Sequence, residues 1–286
     1  MPPSYNTNFT DSGSVTTNNI NCNTSSNKQS TNNKGRDNIY EKELREMHQA
    51  VPTATHAECQ RFLADRNGNT KTAIDKLRYY LEWRNKYCND ELSHLDSWTY
   101  ASQLALQSAN AANKKGNVVD STTLKLPCTF FMMEEGAKKY LHHLPARIDT
   151  KLADTSTYAL ALALYIDHVL DRNTTEKATL IIDVRPGYGW ANINAIHLLP
   201  FIQSVSRLLC DLFPSRLEQC IVYPVPKVAN FLWKAIRPFV GTETVDKICL
   251  VTGPAGKKDK VPKKVCNYLD KELITKLEEK RTSCFS

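Results

Sequence analysis

The chain has 286 residues, of which 41% are hydrophobic and 23% are charged, values typical of a soluble globular protein with a substantial core. No apolar run approaches the roughly 18 residues of a membrane-spanning helix, and the first residues lack the apolar stretch of a secretion signal. We therefore expect a cytoplasmic protein without a permanent membrane anchor.

The net charge of +7 is concentrated towards the two ends of the chain. Residues 253–286 alone carry nine Lys/Arg against five Asp/Glu. Such an excess is compatible with binding to nucleic acid, with contact to an anionic membrane leaflet, or simply with solubility. Composition does not choose among these three interpretations.

Residues 1–37 are rich in Asn, Ser and Thr and poor in aromatic residues. A segment of this kind cannot bury enough apolar surface to offset the entropy of ordering, so we predict a disordered arm. The nine cysteines of the chain include no C-x-x-C pair, and their number is odd. We expect reduced thiols, with no metal site and no cofactor.

Residues 38–112 have the periodicity of a small helical unit. The segment "RFLADRNGNTKTAIDKLRYYLEWR" predicts a helix that ends near Ala64 or Asp65 and a turn through Asn67-Gly68-Asn69. Thr70 is the predicted N-cap of the second helix. A weaker third helix is predicted in "WTYASQLALQSANAANKK".

Residues 120–286 alternate between strand and helix patterns, which predicts an α/β domain with a mostly parallel sheet flanked by helices. Asp154 or Ser156 is expected to cap the first helix of this domain, and Pro200 to kink the second. The predicted strands are "LPCTFFMM", "KYLHHLPA", "ATLIIDV", "EQCIVY" and "DKICLVT". We expect "ATLIIDV" to be buried on both faces, and "VPKKVCNYLDKELITKLEEKR" to form one basic helix.

The helix pattern between residues 228 and 240 is unusually apolar. Its apolar side chains cover roughly 200° of the helical circumference, whereas packing on one core face needs about 100°. Periodicity alone favours a helix wedged between two layers. The second interpretation is a cover that faces a cavity on one side and a membrane on the other.

We find no pattern that predicts an enzyme. The sequence contains no G-x-S-x-G, P-loop or H-E-x-x-H motif. Asp183 lies at the end of a predicted strand, where it either serves a function or, more simply, caps a nearby loop or helix. His142 and His143 must point to opposite faces of their strand, so they cannot easily bind one metal ion together. Cys220 with His197 is a poor nucleophile–base pair, because Cys220 lies in a buried strand pattern where a thiolate is disfavoured.

Several segments together resemble the CRAL-TRIO family, whose members include phosphatidylinositol transfer proteins and carriers of tocopherol and retinal. The resemblance extends from Glu58 to the last helix. It rests on "RFLADRNGNTKTAIDKLRYYLEWR", on "TLIIDVRPGYGW", and on "LFPSRLEQCIVYPVPKVANFLWKAIRPFVGTETVDKICLV". The family's Y-P-E-R motif is replaced by Phe213-Pro214-Ser215-Arg216, so the glutamate is absent. Its N-x-P motif is replaced by Pro224-Val225-Pro226.

This resemblance implies an internal hydrophobic pocket closed by a mobile helix. The positions that it assigns to the gate are Phe231, Trp233, Ile236, Phe239 and Val240. It assigns Lys247, and by position Arg66, to a lipid headgroup, although a lysine at the start of a strand can equally be solvated. The implied function is to bind a lipid, with a phospholipid expected, and to transfer or present it during transient contact with membranes.

Two alternatives to a lipid carrier remain open at the level of sequence. A non-transferring adaptor would use the same fold to bind proteins, and the missing glutamate at Ser215 favours this interpretation somewhat. A nucleic-acid binder would act through the basic carboxyl-terminal segment, and we do not expect nucleic acid to be a partner.

Overall fold

The computed structural model describes residues 41–112, 124–225, 233–234, 237–239, 242–256 and 258–286, so the predicted arm at 1–37 lies outside the described residues. Four helices come first: α1 (Glu41–Ala50), α2 (His56–Asp65), α3 (Thr70–Tyr87) and α4 (Ser97–Ala112). Helix α2 ends at Asp65 as predicted. The predicted cap at Thr70 is wrong by one residue, because Asn69 is the N-cap and its side chain accepts a hydrogen bond from the Thr72 amide.

The helices α2 and α3 are held against the rest of the chain by buried polar groups. Glu58 caps the start of α2 through the Thr55 amide and forms an ion pair with Arg172, at 2.8 Å between Oε1 and Nε. Tyr80 of α3 donates to Asp167 at 2.9 Å. These bonds satisfy polar groups that burial would otherwise penalise, and so they fix the position of the helical unit.

A five-stranded sheet forms the centre of the second region: β1 (Phe130–Glu135), β2 (Lys138–His143), β3 (Ala178–Asp183), β4 (Leu217–Val225) and β5 (Ile248–Thr252). The strands lie in chain order, β1-β2-β3-β4-β5. The first two form an antiparallel hairpin, and all other neighbours are parallel. The prediction of an α/β fold with a mostly parallel sheet is therefore confirmed.

The strand order places the connecting helices on one face of the sheet. Right-handed crossovers between parallel strands that follow each other in order must all pass over the same face. Helices α5 (Thr155–Val169) and α6 (Leu199–Leu212) belong to two such crossovers, and the third contains the short helix α7 (Thr242–Val245). Helix α8 (Lys271–Phe285) packs on the other face, where Leu273 and Leu277 join the strand residues in a second buried cluster.

Of the local predictions for three helices, one is confirmed and two are wrong. Asp154 is the N-cap of α5, as one of the two predicted alternatives, and it accepts from the Thr157 amide. Pro200 does not kink α6 but lies in its first turn, where proline's missing N–H costs nothing. The predicted single basic helix at the end is also wrong. A 3-10 turn (Lys263–Asn267) is separated from α8 by Asp270, which caps α8.

Candidate functional site

A cavity of about 990 Å³ lies on the face of the sheet that carries the crossovers. The sheet contributes alternate residues from neighbouring strands, because successive side chains point to opposite faces. The register pairs Ile182 with Val222 and Val222 with Leu250, and all three line the cavity. The floor of the cavity is thus a continuous apolar surface across β3, β4 and β5.

Helix side chains form the opposite wall of the cavity. Ile202, Val205 and Leu209 of α6 follow one another at three- and four-residue spacing and all line the cavity. Leu162 and Ile166 of α5, four residues apart, line it as well. One stripe of each helix therefore faces the cavity instead of closing onto the sheet.

The cavity explains why the prediction for "ATLIIDV" as a strand buried on both faces is wrong. Ile181 is fully buried on the face that meets α8, but Leu180 and Ile182 are only partly buried and line the cavity. The residues of this strand that line the cavity are all apolar, which is the pattern expected for a buried face, whereas the opposite face also carries Thr179 and Asp183. Periodicity cannot distinguish a surface that packs on protein from one that faces an apolar cavity.

His143 belongs to the aromatic part of the cavity wall. Its ring stacks on Phe130 with the ring centres 4.1 Å apart, and its Nδ1 lies 3.1 Å from the Thr129 carbonyl oxygen. Burial lowers the pKa of His143 to about 3, so the ring is neutral at physiological pH. His142 points to the other face, as predicted, and burial lowers its pKa to about 3 too.

Cationic side chains gather at the end of the cavity near the amino ends of β4 and β5. The Nζ of Lys247 donates to the Leu217 carbonyl at 3.0 Å. The Nζ of Lys76 donates to the Cys210 carbonyl at 2.7 Å and to the Asp65 carboxylate at 3.0 Å, and Arg66 pairs with the same carboxylate at 3.2 Å. These residues all line the cavity, so this end carries more positive than negative charge.

Arg216 adds a fourth cationic group to the lining of this end. Its guanidinium is buried and donates to the carbonyl oxygens of Glu176 and Asp171, which fixes the turn before β4. Burial lowers the pKa of Arg216 to about 10, and it remains charged at neutral pH. Ser215, which stands where the family motif has glutamate, has a positive φ of 61° and also lines the cavity.

The structure gives a partial view of the residues assigned to the gate. Trp233 lines the cavity and is partly exposed. Phe231, Ile236 and Val240 lie outside the described residues, and of Phe239 the structure describes only the backbone, in a 3-10 turn (Arg237–Phe239). The gate and the headgroup roles of Lys247 and Arg66 therefore stay predictions.

Lys76 was not predicted, although it lies beside the buried stripe of α3 that includes Ala73 and Leu77.

Two of the candidate catalytic groups, Cys220 and Asp183, are buried. Cys220 is buried, and desolvation raises the pKa of its thiol to about 12. Asp183 is fully buried and forms ion pairs with Arg185 and Arg281 on the face covered by α8. Within the described ranges, no group of three or more potential ligands could hold a metal ion. Nor is any described helix both long and apolar enough to cross a bilayer.

The described residues thus form a mostly parallel α/β sheet with a largely apolar cavity on the face that carries the crossovers. A family model for the CRAL/TRIO domain matches residues 129–276, over half of the chain, and the chain belongs to that family. Members of this family bind hydrophobic lipids and are generally carriers, not enzymes.

Comparison with solved structures agrees with this fold. Thirty-three chains match, and one of them is the crystal structure of Sfh5, with a TM-score of 0.51 and 14% sequence identity. The match covers 75% of this chain and 67% of the Sfh5 chain. A search of curated protein sequences found no match.

Proposed function

We propose that the protein binds a phospholipid in the cavity and transfers or presents it between membranes. The observation that carries this proposal is the combination of apolar walls along β3, β4 and α6 with a cationic end at Lys76 and Lys247. A volume of about 990 Å³ is at the upper limit of typical small-molecule pockets. Acyl chains would lie against the apolar walls, and a phosphate would lie among the cations.

A carrier of this kind needs a cover because lipid extraction is costly. Each methylene group that enters water costs about 0.8 kcal/mol, so a two-chain lipid cannot pass through water on a useful timescale. The sequence pattern from 228 to 240 predicts a helix with an apolar surface wide enough to face both cargo and membrane. The contact of Trp233 with the cavity supports this role.

The direct test is mass spectrometry of lipid extracted from the natively purified protein. We expect a phospholipid in near-stoichiometric amount. The variant Ile182→Trp, which fills part of the cavity, should reduce this amount several-fold while the protein remains folded. The matched control is Tyr79→Trp on the exposed surface of α3, which should keep its lipid. A purified protein without lipid, and with no lipid uptake from vesicles, would contradict the proposal.

The cover is tested separately by Trp233→Asp. A carboxylate at this position opposes entry into apolar surroundings, so we expect weaker vesicle binding and at least tenfold slower transfer of a fluorescent phospholipid. Thermal unfolding should be unchanged. Loss of the folded state in this variant would show instead that the segment is ordinary core, as the wedged-helix interpretation requires.

A second candidate function is a non-transferring adaptor that holds a regulatory lipid or binds a protein. The replacement of the family glutamate by Ser215 favours it, because a binding group of the motif is lost. Lipid that co-purifies but never exchanges with vesicles, in the wild type as well as in Trp233→Asp, would support the adaptor over the carrier.

A further inference from the structure

The loop between β3 and α6, which lines part of the cavity, carries exposed apolar side chains. Among the described residues, three large hydrophobic side chains are exposed, and two of them, Tyr188 (48%) and Ile196 (52%), lie in the loop 184–198 between β3 and α6. Ile196 also lines the cavity. A side chain that is half exposed and lines the cavity must lie at its rim.

A second loop supplies positive charge. The segment 253–264 follows β5 and contains exposed lysines at Lys258, Lys260, Lys263 and Lys264. Its acidic residue, Asp259, turns back into the loop, where its carboxylate accepts a hydrogen bond from the Gly256 amide. The outward surface of this loop is therefore basic.

The two loops leave the same edge of the sheet. Both follow the carboxyl ends of strands in the parallel part of the sheet, and such ends meet at one edge. Arg185 joins them directly, because its Nη1 donates to the Asp259 carbonyl at 2.9 Å. Ala255 of the second loop lines the same cavity as Ile196. The loop with exposed apolar side chains and the basic loop thus meet at this edge, where Ile196 marks the rim of the cavity.

We propose that this rim is a docking surface for an anionic lipid bilayer. Lysines near an anionic membrane each contribute about 1 kcal/mol, and the attraction falls off within a Debye length, so the lysines must lie close to the surface. Ile196 and Tyr188 would enter the interfacial layer, as apolar side chains do in peripheral proteins. Docking here brings the mouth of the cavity against the bilayer.

The apolar residues decide between a bilayer and the other common polyanion, nucleic acid. Phosphate contacts to nucleic acid use lysines and need no exposed isoleucine among them. A bilayer interface, in contrast, accepts both kinds of side chain at once. The inference rests on the proposed lipid-carrying function, since it assigns that function its membrane-facing surface.

The test is sedimentation of the full chain with vesicles of phosphatidylcholine containing about a quarter phosphatidylserine. The double variant Lys258→Glu/Lys260→Glu should bind roughly 30-fold more weakly, as expected for the loss of two such lysines. Ile196→Asp should lower affinity about tenfold. The charge-matched control Lys42→Glu/Lys71→Glu changes two exposed lysines of the helical unit and should bind like the wild type.

The outcomes separate this inference from the proposed function. Equal binding of all variants, or binding to pure phosphatidylcholine as strong as to the anionic vesicles, would overturn the docking surface. So would binding to duplex DNA that is tighter than to vesicles and unaffected by Ile196→Asp. Cargo measured by mass spectrometry in each variant reports on the cavity alone. Absent cargo with intact, lysine-dependent docking would refute the carrier and leave the docking surface standing.

Discussion

The two faces of the sheet differ although they are made by the same strands. On the face that meets α8, Ile181 is fully buried beside Leu273 and Leu277. On the other face its neighbour Ile182 lines a cavity of about 990 Å³. Close packing and an internal cavity thus lie on different sides of the sheet: α8 covers one face tightly, whereas the crossovers enclose volume on the other.

The closed face also contains the most buried ionic groups of this region. Arg185 pairs with Asp183 at 2.6 Å and with Glu278 of α8, and Arg281 pairs with Asp183 at 3.1 Å. Burial alone would lower the pKa of Arg185, but its hydrogen bonds to Asp183 and Glu278 raise it, so it is charged. This ionic cluster therefore holds α8 on the sheet in addition to the apolar contacts.

The strongest test of the comparison is Asp183→Ala. This change leaves two arginines without their buried partner, and breaking such a pair costs about 3–5 kcal/mol. We expect a loss of this size in the free energy of unfolding, measured with urea. Glu278→Gln, whose side chain is 38% exposed, serves as the control and should cost about 1 kcal/mol. Equal effects of the two changes would show that burial of the pair is unimportant.

The second test compares matched leucines on the two faces after removal of bound lipid. Leu273→Ala creates a cavity in closed packing and should cost about 2–5 kcal/mol. Leu180→Ala enlarges an existing cavity, so it loses fewer contacts, and we expect about 1 kcal/mol or less. Adding phospholipid should increase the cost of Leu180→Ala alone. If the two leucines cost the same without lipid, the faces do not differ in packing.

The third test uses pH, because adjacent histidines face opposite sides. Their folded pKa of about 3 lies below the unfolded value of about 6.5, so the unfolded state binds more protons in this window. Stability is fully present above pH 6.5 and falls as the pH is lowered towards 3. Each histidine should contribute a loss of about 2 kcal/mol at pH 5.

Comparison of His142→Gln with His143→Gln assigns this pH dependence to a face. Arg185, Arg281 and Glu278 all influence His142, whereas His143 lies against the cavity wall with Thr129 and Phe130. Each variant should remove about half of the change in unfolding free energy that the two histidines cause between pH 5 and pH 7. An unchanged slope in both variants would mean that the rings are not buried neutral.

The smallest expected change in stability comes from Lys247→Ala at the cationic end. The hydrogen bond of its Nζ to Leu217 is worth about 1 kcal/mol or less. Loss of the lysine charge should weaken binding of a phosphate-bearing lipid about tenfold and leave binding of a neutral lipid unchanged. Competition with a fluorescent lipid measures both affinities. Unchanged phospholipid affinity would remove Lys247 from the site.

Several features that depend on local sequence could be predicted, although the Thr70 cap and the Pro200 kink were wrong. The end of α2, the cap at Asp154 and the parallel strands follow from turn residues, capping side chains and apolar runs of known length. Ile182 and Leu180 could not be placed correctly, because a cavity wall and a packed core have the same apolar pattern. Those errors occur at the candidate site itself.

Features that depend on distant contacts could not be predicted. The sequence shows Asp183 as a carboxylate at the end of a strand. It does not show that Arg185, the partner of Asp183, also pairs with Glu278, 93 residues further along the chain. Lys76 lies beside an apolar stripe on α3, and only the contact with Cys210 of α6 brings it to the cavity. A single sequence contains no local signal for either contact.

The chain order of the strands has a consequence for synthesis. Each new strand pairs with the one made just before it, so the sheet can grow as the chain emerges, without waiting for a distant partner. The exception is α8, which is made last and covers strands made before it. Until it docks, Ile181, Ile221 and Val251 remain uncovered, and during this interval the nascent protein is most open to aggregation and to chaperones.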